Sequence, residues 1–258
     1  MASSFFKITF RKFKREIVYT VINITGLSLA TTCCLIIGLY LKSELTYDRH
    51  FTGHNQIYRV VNEFTSNGKS NSLAVTSRIL GPMLVKEYPE IKECVRFWYH
   101  KGRKDLFRYG DKSFYWEGVQ FASDNVFNVF DHKIIYGDPK TALIDPNSMA
   151  VSESFAKKYF GNTNPIGKLI TTENTEEEPK KITLVFADLP ENTHLKYDVL
   201  LSYNIFAQSG LSDATEKLSA PKLYTYLLMP ENYDVRNFKN ISESFYKRHM
   251  EEFGGKKT

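Results

Sequence analysis

Paired cysteines are missing from most of this chain. It has three, Cys33, Cys34 and Cys94. The first two adjoin inside an apolar run and Cys94 stands alone beyond it, so the part after the run cannot close an internal disulfide. Cys94 falls in an apolar, strand-like stretch, where a small core residue is expected. No Gly-x-Ser-x-Gly elbow occurs and Cys94 has no identifiable His partner, so nucleophilic catalysis lacks its parts. A complete phosphate-binding loop is absent too. In GNTNPIGK (161–168) five residues separate the glycines where four are needed, and Leu169 follows Lys168 where a hydroxyl would meet Mg²⁺. A helix rather than a strand is expected before it. The segment reads as a turn, and no bound cofactor is predicted.

A basic surface for nucleic acid is also lacking. The net charge is +5, but the first 41 residues carry +4 of it and the remaining residues only +1. That basicity is an N-terminal feature and no footprint for phosphates. His50 and His54 have a helical metal-ligand spacing with Asp48 beside them. Gly53 and the lack of a downstream His or Cys cluster make a juxtamembrane linker the better reading, with no metal. His194, in DLPENTH, sits in a polar turn with no acid–base partner at fixed spacing. Glu176–Glu178 is a solvated acidic loop. No catalytic, cofactor-binding or metal-ligating residue is predicted, and enzyme activity is not indicated. Internal repeats and low-complexity tracts are absent.

What is present is one long apolar run. Residues 17–41, IVYTVINITGLSLATTCCLIIGLYL, contain no charged side chain. At ~1.5 Å per residue the run makes ~37 Å of helix, enough to cross a ~30 Å hydrocarbon core. It outlasts the h-region of a cleaved signal peptide, no A-x-A site ends it, and Thr32 stands where a lipid-modified cysteine needs a small neighbour. An uncleaved transmembrane helix in the lipid bilayer is expected. Lys7, Arg11, Lys12, Lys14 and Arg15 precede it, whereas Lys42, Glu44, Asp48 and Arg49 after it balance. The positive-inside rule puts the N-terminus in the cytoplasm and residues 42–258 on the far side. Within residues 1–16, Phe6, Phe10 and Phe13 lie opposite Lys7, Arg11 and Lys14, the pattern of an amphipathic helix in the headgroup plane.

Beyond a linker, IYRVVNEF (57–64) predicts a strand and Leu73–Val75 a short second one. Ser77–Tyr88 predicts a helix stopped by Pro89, and ECVRFWYH (93–100) another strand. LFRYGDKSFYWEGVQFA (106–122) reads as two strands around Gly110-Asp111. Asp124 is expected to cap a short helix containing Val126 to Phe130, and Gly137-Asp138-Pro139 to turn into a further short helix. SMAVSESFAKKYFG (148–161) reads as a strand and then a helix, with Ser152 as N-cap and Gly161 as C-terminal stop. Strands follow at 167–172, 181–189, 196–206 and 223–229, and Asp234–Phe253 is a closing helix.

NITGLSLATTCCLIIGLYLKSELTYDRHF followed by IYRV resembles the opening of ABC-transporter permeases of the MacB/FtsX type. TSRILGPMLVKEYPEI, FASDNVFNVFDHKIIYGDPKTAL, PNSMAVSESFAKKYFG, NPIGK and DLPENTHLKYDVLLSY are similar, in order and spacing, to blocks of the MacB-like periplasmic core domain. The resemblance covers nearly the whole chain. It implies an α+β fold: one N-terminal transmembrane helix, then a periplasmic domain with a porter-like α/β part and an inserted strand-rich part. Mapped onto this sequence, 1–16 is the cytoplasmic helix, 17–41 the span and 42–54 a stalk or linker. The core domain is 55–258, porter-like over 55–100 and 195–255, with the insert at 101–194.

The same resemblance implies residence in the cell inner membrane and a cytoplasmic ABC ATPase subunit that binds the ATP. It further implies a periplasmic adaptor or substrate protein as partner and a dimer within a full permease. Such permeases continue into at least three more transmembrane helices, and no further apolar span occurs by Thr258. The chain is therefore expected to be a membrane-anchored permease subunit or the N-terminal fragment of an export or efflux system. The alternative is a single-pass envelope protein that binds or regulates a periplasmic partner without transport.

Overall fold

A computed structural model of the protein describes residues 11, 15–66, 69–99, 104–172, 178–208, 218 and 223–249. The expected amphipathic helix at 1–16 and the tip of the acidic loop at Glu176 fall largely outside these. The chain forms two units, Met1–Tyr47 and Asp48–Thr258.

The first unit contains helix α1, Ile17–Leu45, 29 residues without a single buried side chain. It is long and apolar enough to cross a membrane. A helix apolar on all sides has to be surrounded by protein interior or lipid, and this one is not covered by its own chain. Its hydroxyls comply with that solvent. Thr31 and Thr32 donate to the carbonyls of Leu27 and Ser28, each at 2.8 Å, so neither is left unsatisfied. The helix passes the last apolar residue of the sequence run and continues through Lys42 to Leu45.

The second unit is built on one eleven-stranded mixed sheet. Its strands, in chain order, begin with β1 (Ile57–Arg59); β2 (Asn62–Ser66) and β3 (Lys69–Leu73) form a separate two-stranded ribbon. Helix α2 (Leu80–Glu87) leads to β4 (Glu93–Tyr99), β5 (Asp105–Tyr109), β6 (Lys112–Trp116) and β7 (Val119–Ala122). Next come α3 (Val126–Val129), β8 (Ile134–Gly137), β9 (Ser148–Ser152), α4 (Glu153–Phe160), β10 (Leu169–Thr172) and β11 (Lys180–Phe186). The unit closes with β12 (Val199–Ser202), α5 (Ile205–Gln208), β13 (Tyr224–Leu228), a 3₁₀ turn at Val235–Asn237 and α6 (Phe238–Arg248). Strand order is β1-β13-β4-β7-β12-β9-β11-β10-β5-β6, with β8 beside β11.

Alternation along the central strands sends side chains into cores on both faces of the sheet. Ala150, Leu184, Phe186 and Leu200 join Phe97, Phe130, Tyr197 and Tyr226 on one face. Their strand neighbours Met149, Val151, Ile182, Val185 and Val199 join Phe107, Phe155 and Tyr159 on the other, under α4. Leu80 and Leu84 of α2 and Ile241 and Phe245 of α6 form a third cluster with Leu227. β9 and β12 are buried along their whole length, which suits their Val-, Leu- and Met-rich sequences.

Several local expectations needed correction. IYRVVNEF is two strands and not one: Val60 donates to the Thr225 carbonyl, then the chain leaves the large sheet for the ribbon. The second strand of the ribbon is Lys69–Leu73, earlier than 73–75. Residues 106–122 make three strands, because Gly118 at φ +71 turns the chain between β6 and β7. Asp124 does not cap α3; Asn125 occupies the N-cap without a side-chain bond. The segment after Pro139 is a series of turns held by Asp138, which accepts from the Lys140 amide, and it is not a helix. Ser152 does cap α4, its hydroxyl accepting from Phe155 N at 3.2 Å, and Gly161 ends it at φ +63.

The juxtamembrane clasp as candidate functional site

The segment Asp48–His54, read from sequence as linker, is held by residues from three separate parts of the domain. Asp48 has φ +57, a left-handed conformation that only Gly, Asn and Asp adopt at low cost. Its amide donates to the Asn192 carbonyl at 3.0 Å. Its carboxylate accepts from the Thr193 hydroxyl at 2.7 Å, the His194 amide at 2.9 Å and His194 Nδ1 at 2.7 Å. Burial raises the Asp48 pKa, but the bonds from Thr193 and His194 outweigh it and hold the carboxyl below its ordinary range. His194 had no partner at fixed spacing in the sequence; the fold supplies one from 146 positions away.

On its other side, His194 Nε2 shares a 2.7 Å hydrogen bond with the Tyr226 hydroxyl on β13. Asp, His and a hydroxyl in line invite comparison with a catalytic triad. The hydroxyl decides against it. Tyr226 is 3% exposed, and burial pushes its pKa well above the ordinary tyrosine range, so it is no activated nucleophile. The line transmits a bond from the juxtamembrane segment to the sheet.

Three residues further on, Phe51 is 3% exposed and belongs to the core cluster of its face. It meets Phe130 edge-on at 5.1 Å and the His132 ring at 5.5 Å. Burying such a side chain contributes about 2–3 kcal/mol. Thr52 then donates through its amide to Asp131 Oδ1 at 2.8 Å and through its hydroxyl to Asp131 Oδ2. A carboxylate, an aromatic ring and a hydroxyl, within five residues, thus engage three different loci.

His132 lies beneath this segment. Its Nδ1 donates to the Phe130 carbonyl at 2.6 Å, which leaves Nε2 to accept from the Tyr197 hydroxyl at 2.7 Å. Burial lowers its pKa to about 4. The His50 ring lies tilted against Phe51, with centroids 3.8 Å apart, and its pKa is likewise pushed down by burial, against the pull of Asp48 and Asp131. His54 Nδ1 bonds the Phe51 carbonyl at 3.0 Å. The His50/His54 spacing is therefore used for packing and a turn. No group of three or more His, Cys, Asp or Glu side chains with metal-holding geometry occurs among the described residues.

The other singled-out residues take structural positions. Cys94 packs against the α2 and α6 cluster, close to Gly81. GNTNPIGK is a connection from α4 to β10 in which Asn164 Oδ1 accepts from the Ile166 amide and Gly167 N donates to the Ile182 carbonyl. Asp131, His132, Thr193, Tyr197 and Tyr226 went unnoticed in the sequence, where none of them belongs to a motif with chemical meaning.

A helix long and apolar enough to cross a membrane, followed by a mixed α/β domain with one large sheet, fits a membrane-anchored protein. Residues 20–237 match the MacB-like periplasmic core domain, and the chain belongs to that family, which is one of ABC-type transporter permeases and not of enzymes in the usual sense. Solved structures share the fold, three of them as follows. A domain assigned to a permease protein from Porphyromonas gingivalis has TM-score 0.65 at 22% identity, with 78% of this chain and 84% of that one covered. The periplasmic region of MacB from Actinobacillus actinomycetemcomitans gives 0.53 at 14%, covering 75% and 84%. The extracellular domain of the noncanonic ABC-type transporter YknZ from Gram-positive bacteria gives 0.51 at 14%, covering 78% and 96%. No curated protein matches the sequence.

Proposed function

We propose that the chain is the membrane-anchored part of an ABC-type export or efflux permease. Its far-side domain passes ATP-driven motion of the membrane segment to a substrate or partner protein. The observation that carries this is the clasp. Asp48 and Phe51 lie three and six residues beyond the last residue of α1. Asp48 is tied to β13 through His194, and Phe51 enters the core, leaving little slack chain between span and sheet. A relay needs the domain to begin close after the span, and only Thr46 and Tyr47 separate α1 from Asp48. ATP is bound by a cytoplasmic ABC ATPase subunit, and the work is delivered to a periplasmic adaptor or substrate protein. The basic flank before the span favours a cytoplasmic N-terminus, with residues 42–258 in the periplasm and the span in the inner membrane. Within the domain we assign 55–100 and 195–255 to the porter-like part and 101–194 to the insert, and we expect the permease to work as a dimer.

The test is Leu45→Pro in the complete permease. Proline there removes a helical hydrogen bond and clashes with the preceding turn, at about 3 kcal/mol or more. Export should be lost while the domain keeps its folded spectrum and ATPase association persists. Normal export would eliminate the relay. Stable membrane residence of the wild-type chain with no ATPase co-purifying would favour the regulatory, non-transporting alternative.

A further inference from the structure

Four of the six histidines in this chain, His50, His54, His132 and His194, gather where the Asp48–His54 segment meets the domain. We propose that His132 is a proton-sensing site and that its charging releases the Asp48–His54 segment from the domain. The consequence for transport rests on the relay reading; the device itself does not.

The argument begins with the hydrogen bonds of His132. Both ring nitrogens are already used, Nδ1 as donor to Phe130 and Nε2 as acceptor from Tyr197. A proton added at Nε2 would face the Tyr197 O–H, which must then turn its own hydrogen away although Tyr197 is buried. Around the ring stand Phe51, Phe127, Phe186 and Tyr197, with centroids at 5.5, 5.1, 5.3 and 5.8 Å. An imidazolium there is poorly solvated. Charged neighbours do not rescue it: Asp131 favours the charge, but burial and His50 oppose it. His50 itself faces Asp48, Asp131 and His194, and His194 faces Asp48 and Tyr226.

Among the described residues, Phe51 is the one ring packed on His132 that comes from the juxtamembrane segment. Phe127, Phe186 and Tyr197 belong to α3, β11 and the run into β12, inside the sheet's own core. His132 is half-buried with Phe51 in place, and displacement of Phe51, with Asp48 and Thr52, opens the rest of a charged ring to water. Proton binding and segment release are therefore linked. If the released ring titrates at its ordinary value of 6.5 and the docked ring at about 4, docking weakens as pH falls through this window. The factor reaches about 30 at pH 5.

The experiment is hydrogen exchange by mass spectrometry on the full chain in nanodiscs from pH 7.5 to 5, corrected for the intrinsic pH dependence of exchange. Peptides spanning Asp48 to His54 report the amides of Asp48 and Thr52, which donate to Asn192 and Asp131. Protection there should fall at least tenfold by pH 5 while β9 and β12 keep theirs, and His132→Gln should abolish the fall. Unchanged protection in the wild type, or an equal fall in His132→Gln, overturns the proposal. If that variant does not fold, imidazole NMR resonances of the wild type decide. A His132 signal that titrates together with the loss of protection supports the device, and loss of protection while His132 stays neutral overturns it. The assay contains no ATPase and no export step, so its failure and that of the relay are separate results.

Discussion

The carboxylate of Asp48 and the imidazole of His194 meet at 2.7 Å across 146 positions of sequence. Asp48 reaches that contact in a left-handed backbone conformation, and four hydrogen bonds hold it there. A backbone strain persists only where its surroundings over-determine it. Here the surroundings are one turn, Asn192 to His194, which through Tyr226 is tied to the sheet.

Substitutions at Asp48 should separate its three contributions. Asn tolerates the backbone and still accepts from Thr193, so Asp48→Asn should cost about 1 kcal/mol. Ala pays the left-handed penalty and orphans the donors, so Asp48→Ala should cost about 3 kcal/mol. Guanidinium unfolding of the two variants is the measurement. Because the Asp48 carboxyl is held below its ordinary 3.8, its contribution is present above that pH and is lost as pH falls through the lowered value. Only the wild type should show this loss.

Gly137 and Gly110 both have positive φ, at +95 and +56, but different surroundings. A Cβ at Gly137 would stand 2.3 Å from the Thr183 carbonyl oxygen of the neighbouring strand, whereas Gly110 opens to free space. Gly110→Ala should cost about 1 kcal/mol of backbone strain. Gly137→Ala must also part β8 from β11, and it should cost about 3 kcal/mol or more or abolish folding. Thermal unfolding of the two variants in parallel tests the contrast.

Global stability should decline in mild acid. The unfolded chain protonates His132 at its ordinary 6.5 and the folded one only near 4. The unfolded state therefore binds more protons between these values, and stability falls as pH drops through the window, by about 3 kcal/mol at pH 4. Above pH 6.5 this residue contributes no pH dependence. Denaturant curves at pH 7, 5.5 and 4.5 measure the slope, and His132→Phe should flatten it.

Elements whose signals are local are legible in the amino-acid order alone. The span announces itself by 25 uncharged residues, and β9 with α4 by the apolar triplet Met149–Val151, a serine cap and a terminal glycine. Misreadings arise where one apolar stretch serves two elements. IYRVVNEF is continuous in hydropathy, yet its first half pairs with β13 and its second with β3. Likewise the helix expected after Pro139 yields to turns whose amides find Asp138. The candidate site is hidden more thoroughly. His194 looks unpartnered and Phe51 looks like linker because Asp48, Tyr226 and Phe130, which engage them, all lie at least 32 positions away.

The sequence by itself determined the long apolar helix, the strand and capped helix at 148–161, and the family to which the chain belongs. Each is written in contiguous residues, because helix length, strand periodicity and block order depend on near neighbours. Only the tertiary structure decided that Phe51 belongs to the domain's core, that Asp48 has a histidine, and that His132 packs against Phe51. Those facts depend on which strands pair. Pairing is settled by the joint burial of side chains far apart in the chain, and no local pattern records it.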